Sequence, residues 1–214
     1  FEINEPDAYA LEAALQIKDK HGGEVVVLSI GPQRAAKAIR EALAKGADRG
    51  IHVETDNLTG ADTLRAASLL AKAASAESPD LVLTGLQSED LGYGQTGVVM
   101  ADLMGLPHAT IIMEVEKTEA GIRVKRELEA GWFQHVDLPL PAVLAVQSGI
   151  SKLRYATLMG IKKAKTKELK RIPAAELGPA LEPALVIERV YAPQRTKRTQ
   201  FLEGSPLVAA ATLV

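Results

Sequence analysis

The sequence predicts an α/β fold: a mostly parallel sheet flanked by helices, with an added β-hairpin and an extended C-terminal arm. Three observations predict it. Short, β-branched apolar runs alternate with stretches of helical period over the first hundred residues. After "LPHAT" the pattern changes to alternating segments separated by turn residues. From Ser148 onward regularity declines, and the tail carries several prolines.

Taken in order, Tyr9, Leu11, Ala14, Leu15 and Ile17 share one face of a first helix that "HGG" ends. "EVVVLSI" follows as a short buried strand. "GPQRAAKAIREALAKGADR" sets Ala35, Ala38, Ile39, Ala42 and Leu43 at helical spacing, with Pro32 near the start and Gly46 at the end. "GIHVET" is the next strand. Residues 61–76 are rich in alanine and leucine and predict a third helix, and "PDLVLTG" after them is another apolar strand. Strands this short, alternating with helices, imply right-handed crossovers and a sheet covered on both faces. Residues 109–137 contain "EAG" twice and predict antiparallel hairpins, before "LPAVLAVQ" supplies one more buried strand. Residues 1–147 therefore predict an α/β domain that includes the hairpin. Residues 148–214 predict a recognition loop and a C-terminal arm. The first five residues read as the end of a loop, with further chain expected ahead of them.

Composition narrows the chemistry. Of 214 residues, 47% are apolar and 24% charged, which is the balance of a globular protein. Twenty-five basic against 27 acidic residues leave a net charge of -2, so no global field favours nucleic acid or a membrane surface. The chain has no cysteine, which excludes disulfides, thiolate metal sites and cysteine nucleophiles and permits a cytosolic compartment. No apolar run approaches the roughly 18 residues needed for a membrane span. His21, His52, His108 and His135 lack metal-ligand spacing and read as surface or satisfied core side chains. Asp80, Glu89 and Asp90 do not form a convincing acid-base pair, because Asp80 precedes its strand and the others suit solvent or a helix cap. Trp132 and Phe133 read as a packing pair.

One stretch stands apart. "GLQSEDLGYGQTG" occupies residues 85–97, between a predicted strand and a predicted helix, where open parallel sheets place their ligands. Gly85, Gly92, Gly94 and Gly97 permit close approach, while Ser88, Gln95 and Thr96 offer hydrogen-bonding groups. A helix starting near Gln95 presents free N–H groups and the positive end of its dipole. No Gly-Lys-Ser/Thr follows, and the loop is not GxGxxG. A phosphate-bearing ligand and a plain helix-capping loop both fit these residues.

Four stretches together carry a resemblance: "NEPDAYALEAAL" at 4–15, "ALAKGADRGIHVE" at 42–54, "DLVLTG" with "QTG" between 80 and 97, and "LPAV" followed by "RYATLMGIKKAK" between 140 and 165. They resemble the β subunit of electron transfer flavoprotein over nearly the whole chain. The last pair is the most specific. The resemblance implies a Rossmann-like, adenine nucleotide α-hydrolase-like fold. It also implies a heterodimer with an α subunit that holds most of a redox-active FAD, while the β subunit buries a structural AMP. Carried over by motif, Asn4, Glu5, Pro6, Asp7 and Ile30 are expected around the adenosine, and Gly85, Ser88, Gly94, Gln95 and Thr96 around the phosphate. The family's first strand has no counterpart in this chain, so an incomplete sheet is expected. Relatives often carry acidic or amide residues where Leu91, Gly92 and Gly94 stand here, which shifts the binding expected of this loop toward backbone N–H groups. Electron-bifurcating relatives hold a second FAD in place of AMP, with a loop nearer to "DGDTAQVGP". "GQTG" resembles the AMP-binding, non-bifurcating version.

The same resemblance implies that Leu158 anchors in an apolar pocket of a partner dehydrogenase. Tyr155, Met159 and Ile161, with Leu153, form an apolar cluster around it, and Arg154, Lys162, Lys163, Lys165 and Lys167 form a basic rim. Read without the resemblance, these residues also fit a core leucine beside a solvated lysine face. The partners implied are the α subunit, acyl-CoA and other flavin dehydrogenases, and a membrane quinone oxidoreductase, without nucleic acid and without membrane insertion of this chain. The chain is expected to carry electrons without a bond-making site of its own, in a bacterial cytoplasm or, for a eukaryotic source, the mitochondrial matrix. A stand-alone ATP- or AMP-binding sensor of similar fold is the rival from another class.

Overall fold

The computed structural model describes residues 2–56, 58, 63–185, 187–192 and 199–213. Residue 1 and the first two residues of the predicted third helix lie outside these described residues.

The first layer alternates as its sequence dictates. Helix α1 (Glu5–His21) ends at Gly22, whose φ of 77° suits glycine. Strand β1 (Val26–Gly31) and helix α2 (Ala36–Lys45) follow, and α2 ends at Gly46 with φ 137°. Strand β2 (Arg49–Glu54), helix α3 (Thr63–Ser75), strand β3 (Leu81–Gly85) and helix α4 (Thr96–Met104) continue the alternation. Three antiparallel-forming strands come next, β4 (His108–Lys117), β5 (Ile122–Glu127) and β6 (Phe133–Leu138), with a 3₁₀ turn at Glu129–Gly131 in the second "EAG". Strand β7 (Ala142–Val146) is buried at all five positions, the signature of a strand covered on both faces.

The strands form two sheets. The first has the order β1-β2-β8, where β8 is Leu169–Pro173, all parallel; the second has the order β3-β7-β4-β5-β6, parallel at its β3 end and antiparallel at its β6 end. This is the mostly parallel α/β layer with an added hairpin that the sequence predicts. Helices α3 and α4 span the two sheets: Ala67, Ala71, Ala74 and Met100 pack with Leu28 of β1 and Val82 of β3. Strand β4 changes partners along its length, and the register shifts on both sides of Ile112. The bulge holds Ile111 at φ 58°, an uncommon conformation for a β-branched residue.

The structure differs from expectation after Ser148. Regularity does not simply decay: helix α5 (Leu158–Ala164) packs on α2, and strand β8 (Leu169–Pro173) joins β2 in parallel, with Gly50 opposite Leu169. A buried residue and a half-buried one explain this, since Ala164 enters the cluster of Leu15, Ile39 and Leu43, and Leu169 packs against the same cluster. Beyond the 3₁₀ turn Ala174–Leu177, the one regular element among the described residues is helix α6 (Pro206–Leu213), which buries none of them.

Burial on α1 also departs from the predicted stripe. Of Tyr9, Leu11, Ala14, Leu15 and Ile17, only Leu15 is buried; Pro6, Ala8, Ala10, Glu12 and Ala13 complete the buried set. The helix lies against β3 and β7 as well as against the α2 cluster, so small residues and one glutamate face its partners. Trp132 and Phe133 do not form a buried packing pair. They are 72% and 46% exposed, and Phe133 lies under the Lys125 ammonium at 4.4 Å.

Candidate functional site

Two regions concentrate the residues singled out in the sequence. The first is the loop between β3 and α4. Gly85 closes β3 where the first turn of α1 crosses it: a Cβ at Gly85 would lie 2.6 Å from the Asp7 nitrogen and 2.7 Å from the Pro6 carbonyl carbon. Hydrogen bonds sew the two segments together. The Gly85 N–H donates to Asp7 Oδ1 at 2.7 Å, Asn4 Nδ2 donates to the Gln87 carbonyl at 3.0 Å, and the Glu89 N–H donates to Asn4 Oδ1 at 3.0 Å. Asn4 and Asp7 thus brace the loop through their side chains, while Pro6 is buried and Glu5 is exposed at the start of the helix.

Within the loop, Gly92 and Gly94 both take φ 64°, and the Gly92 N–H bonds back to the Ser88 carbonyl and hydroxyl. Hydrogen bonds from Ser88 and the Leu91 N–H hold the Asp90 carboxyl below its ordinary value. Gln95 caps α4 by backbone position alone; its own side chain makes no bond to the first N–H groups of that helix. The Gln95 side chain instead accepts from the Thr63 hydroxyl at 2.9 Å, tying the loop to the start of α3. Gly97 follows against Thr84, whose buried hydroxyl has no hydrogen-bond partner. Ile30 sits at the end of β1 in the other sheet, packed with Val53 and Leu69. The structure therefore joins Asn4, Asp7 and Gly85 in one bonded network, holds Ser88 in a separate turn with Gly92 and Asp90, and leaves Ile30 outside both. Free helix N–H groups, glycines in left-handed conformations and an unpaired hydroxyl fit an anionic, phosphate-bearing group.

The second region is the turn from Tyr155 to Ile161. Tyr155 is 91% exposed, Leu158 88%, Met159 62% and Ile161 46%, so Leu158 is not a core residue in this chain. Thr157 caps α5 by accepting from the Gly160 N–H at 3.0 Å, which puts Leu158 at the first helical position. Lys162, Lys163 and Lys165 are exposed around the cluster. Arg154 and Lys167 are not part of that rim. Lys167 turns inward and donates to the Leu43 and Ala47 carbonyls at the end of α2. Arg154 turns onto α1, where it forks onto Glu12 and also reaches Asp19 at 2.8 Å.

Glu12, 4% exposed, escaped the sequence reading. A lone glutamate on a helix carries no local sign of burial; only a partner 142 positions away explains it. Burial pushes its carboxyl up, but hydrogen bonds from the Arg154 side chain, Gln16 and the Arg154 N–H, and the Arg154 charge, outweigh burial and hold it below the ordinary 4.5. Asp48 behaves alike: burial raises it, and bonds from Lys18 and the Val25 N–H bring it below 3.8. Folded values depressed in this way stabilise the fold fully above the ordinary carboxylate range, and the gain is lost as pH falls through the depressed values. Thermal melting should therefore be level from about pH 7 to about pH 5 and fall below that, with Glu12→Gln flattening part of the fall. A melting temperature that stays level to about pH 3 would contradict this account.

His52 is fully buried, with Nε2 3.0 Å from the Gly31 carbonyl, but its Nδ1 has no partner, so it is only half satisfied. His21, His108 and His135 are exposed. Among the described residues no group of three or more acidic or histidine side chains is placed to hold a metal ion, and no helix is long and apolar enough to cross a membrane.

The parallel layers, the glycine-rich loop at a strand end and the flanking helices define an α/β protein of the Rossmann-like class. A family model described as "Electron transfer flavoprotein domain" matches residues 1–177. The chain belongs to the electron transfer flavoprotein family, among its β subunits. It is similar to the electron transfer flavoprotein subunit beta of Methylophilus methylotrophus, 36% identical with 100% of this chain and 84% of the relative covered. The subunit beta of Bos taurus is 39% identical, with 94% of this chain and 80% of the relative covered. That of Bacillus subtilis is 32% identical, with 99% of this chain and 84% of the relative covered.

Proposed function

We propose that this chain is the β half of a heterodimeric electron carrier, paired with an α subunit that holds most of the FAD. It binds AMP as a structural element and docks acyl-CoA and other flavin dehydrogenases, from which electrons pass toward a membrane quinone oxidoreductase. Its contribution is positional. Residues 148–214 serve as recognition loop and arm, and residues 1–147 as the nucleotide-binding domain. The FAD supplies the redox chemistry when bound; the residues of this chain bind, orient and present.

The observation that carries the reading is Leu158. An 88% exposed leucine at the first position of a capped helix, with Tyr155, Met159 and Ile161 exposed beside it, is a small apolar anchor rather than a stray surface residue. Lys162, Lys163 and Lys165 around it suit a transient complex, in which charge sets the encounter rate and the apolar contact supplies much of the affinity. Raising ionic strength should accordingly slow the second-order reduction of the heterodimer by a dehydrogenase. A salt-independent rate would remove the steering role.

AMP fits the first region. Asn4, Glu5, Pro6, Asp7 and Ile30 would border the adenosine, and Gly85, Ser88, Gly94, Gln95 and Thr96 the phosphate, which the uncapped start of α4 favours. Glycine at 92 and 94 assigns more of this contact to backbone N–H groups than to side chains. The test is to co-purify the chain with its α subunit, denature the complex, and identify and count the released nucleotides. One FAD and one AMP per heterodimer support the reading. Two FAD would mean an electron-bifurcating complex, and ATP on the isolated chain would mean a nucleotide sensor.

A further inference from the structure

The anchor stands out from the surface, yet the chain around it is held on both sides. On the C-terminal side, the Arg40 guanidinium donates to the Ala164 carbonyl at 2.7 Å and to the Lys167 carbonyl at 2.6 Å, closing the end of α5. Gly160 lies so close to the Ala44 carbonyl that no side chain fits between them. On the N-terminal side the chain from 152 to 157 has no regular structure, and Arg154 ties it to α1. Arg154 donates its backbone N–H to Glu12 Oε2 at 3.1 Å, its Nε to the same oxygen at 2.9 Å, and its Nη2 to Glu12 Oε1 at 3.2 Å and Asp19 Oδ2 at 2.8 Å. Gln16 Nε2 fixes the other face of the pair by donating to Glu12 Oε1 at 3.0 Å. Glu12, Gln16 and Asp19 are spaced four and three apart, along one face of α1.

We infer that Arg154 is a positioning residue for partner docking: through Glu12 and Asp19 it orders the segment that presents Tyr155 and Leu158, without itself touching the dehydrogenase. The inference rests on the reading of Leu158 as the anchor. Its physical basis is preorganisation. An exposed loop must be ordered when it binds, and the entropy of ordering subtracts from affinity unless the free protein has already lost it. A forked, partly buried guanidinium-carboxylate pair with an added backbone bond fixes both the side chain and the main chain of residue 154, immediately before the exposed Tyr155. A lysine here would keep a charge but lose the fork.

The experiment uses the FAD-loaded heterodimer, with a substrate-reduced acyl-CoA dehydrogenase as donor. Arg154→Ala should raise the KM for the heterodimer about tenfold, with kcat and FAD content unchanged. Because this variant leaves Glu12 buried and unpaired, a second variant separates order from stability. Glu12→Leu combined with Arg154→Met replaces the ion pair by apolar side chains and should recover the melting temperature. If positioning is the role, its KM stays raised. Recovery of KM together with melting temperature would show that Arg154 acts through stability alone and overturn the proposal. An unchanged KM in Arg154→Ala, beside a raised KM in Leu158→Ala, would also overturn it while leaving the anchor intact. Should Leu158→Ala itself have no effect, the anchor reading falls, and this inference with it.

Discussion

Leu158→Ala is expected to raise the KM of the heterodimer for its dehydrogenase about thirtyfold, the size of an interface hot spot of about 2 kcal/mol. The folded state should not register the change. The side chain is 88% exposed, so truncation opens no cavity, and the melting temperature and FAD content should match those of the parent protein. Tyr155→Ala and Met159→Ala should have smaller effects, as flanking contacts that keep water from a central anchor. Leu158→Met conserves length and apolar character and should retain most of the affinity. Steady-state reduction, with the heterodimer varied at fixed dehydrogenase, reads all four. A thirtyfold loss that came with lost FAD or a lowered melting temperature would instead assign Leu158 to the integrity of the subunit.

Gly85→Ala should be the most damaging single methyl in the chain for nucleotide retention. The added carbon would meet the Asp7 nitrogen at 2.6 Å and the Pro6 carbonyl carbon at 2.7 Å, and both are backbone atoms that no rotamer change can move aside. Relief requires the first turn of α1 to lift from β3, which breaks the bond from the Gly85 N–H to Asp7 and draws Asn4 away from Gln87 and Glu89. A loss of about 3 kcal/mol is expected, lowering the melting temperature by roughly 10 °C, together with loss of the bound nucleotide. Gly94→Ala makes the informative comparison. Its Cβ would have ordinary contacts, 3.7 Å from the Leu86 carbonyl, but the φ of 64° penalises any side chain by about 1–2 kcal/mol. Nucleotide loss in Gly94→Ala with little change in melting would tie the loop conformation itself to binding. Full nucleotide content in Gly85→Ala would exclude this loop as the site.

The elements with strong periodicity were legible in the sequence. Strands "EVVVLSI", "GIHVET" and "PDLVLTG" and the helix of Ile39 and Leu43 appear where their patterns place them, because local apolar spacing determines which face can be buried. The glycines at 46, 92 and 94 likewise announce positive φ. What escaped depends on partners distant in the chain. Strand β8 reads as part of an irregular tail because "LKRIP" gains strand character only from β2, more than a hundred residues earlier. The burial of Glu12 and the inward turn of Arg154 and Lys167 each require a contact across the fold. Trp132 illustrates the converse: an indole prefers burial, but just after the short turn at Glu129–Gly131 it stays exposed among the described residues.

Helix α1 is a single rod that begins under the β3–α4 loop at Asp7 and carries the Arg154 contact at Glu12 and Asp19. Each residue of an α-helix advances about 1.5 Å and turns about 100°. One residue inserted or deleted between Asp7 and Glu12 would swing Glu12 about a quarter-turn away from Arg154 while Asp7 kept its hold on Gly85. The first two turns of α1 therefore have a fixed length as well as a composition. Natural variation among homologous chains should place its insertions and deletions in the turns between strands and leave the spacing of these two carboxylates intact.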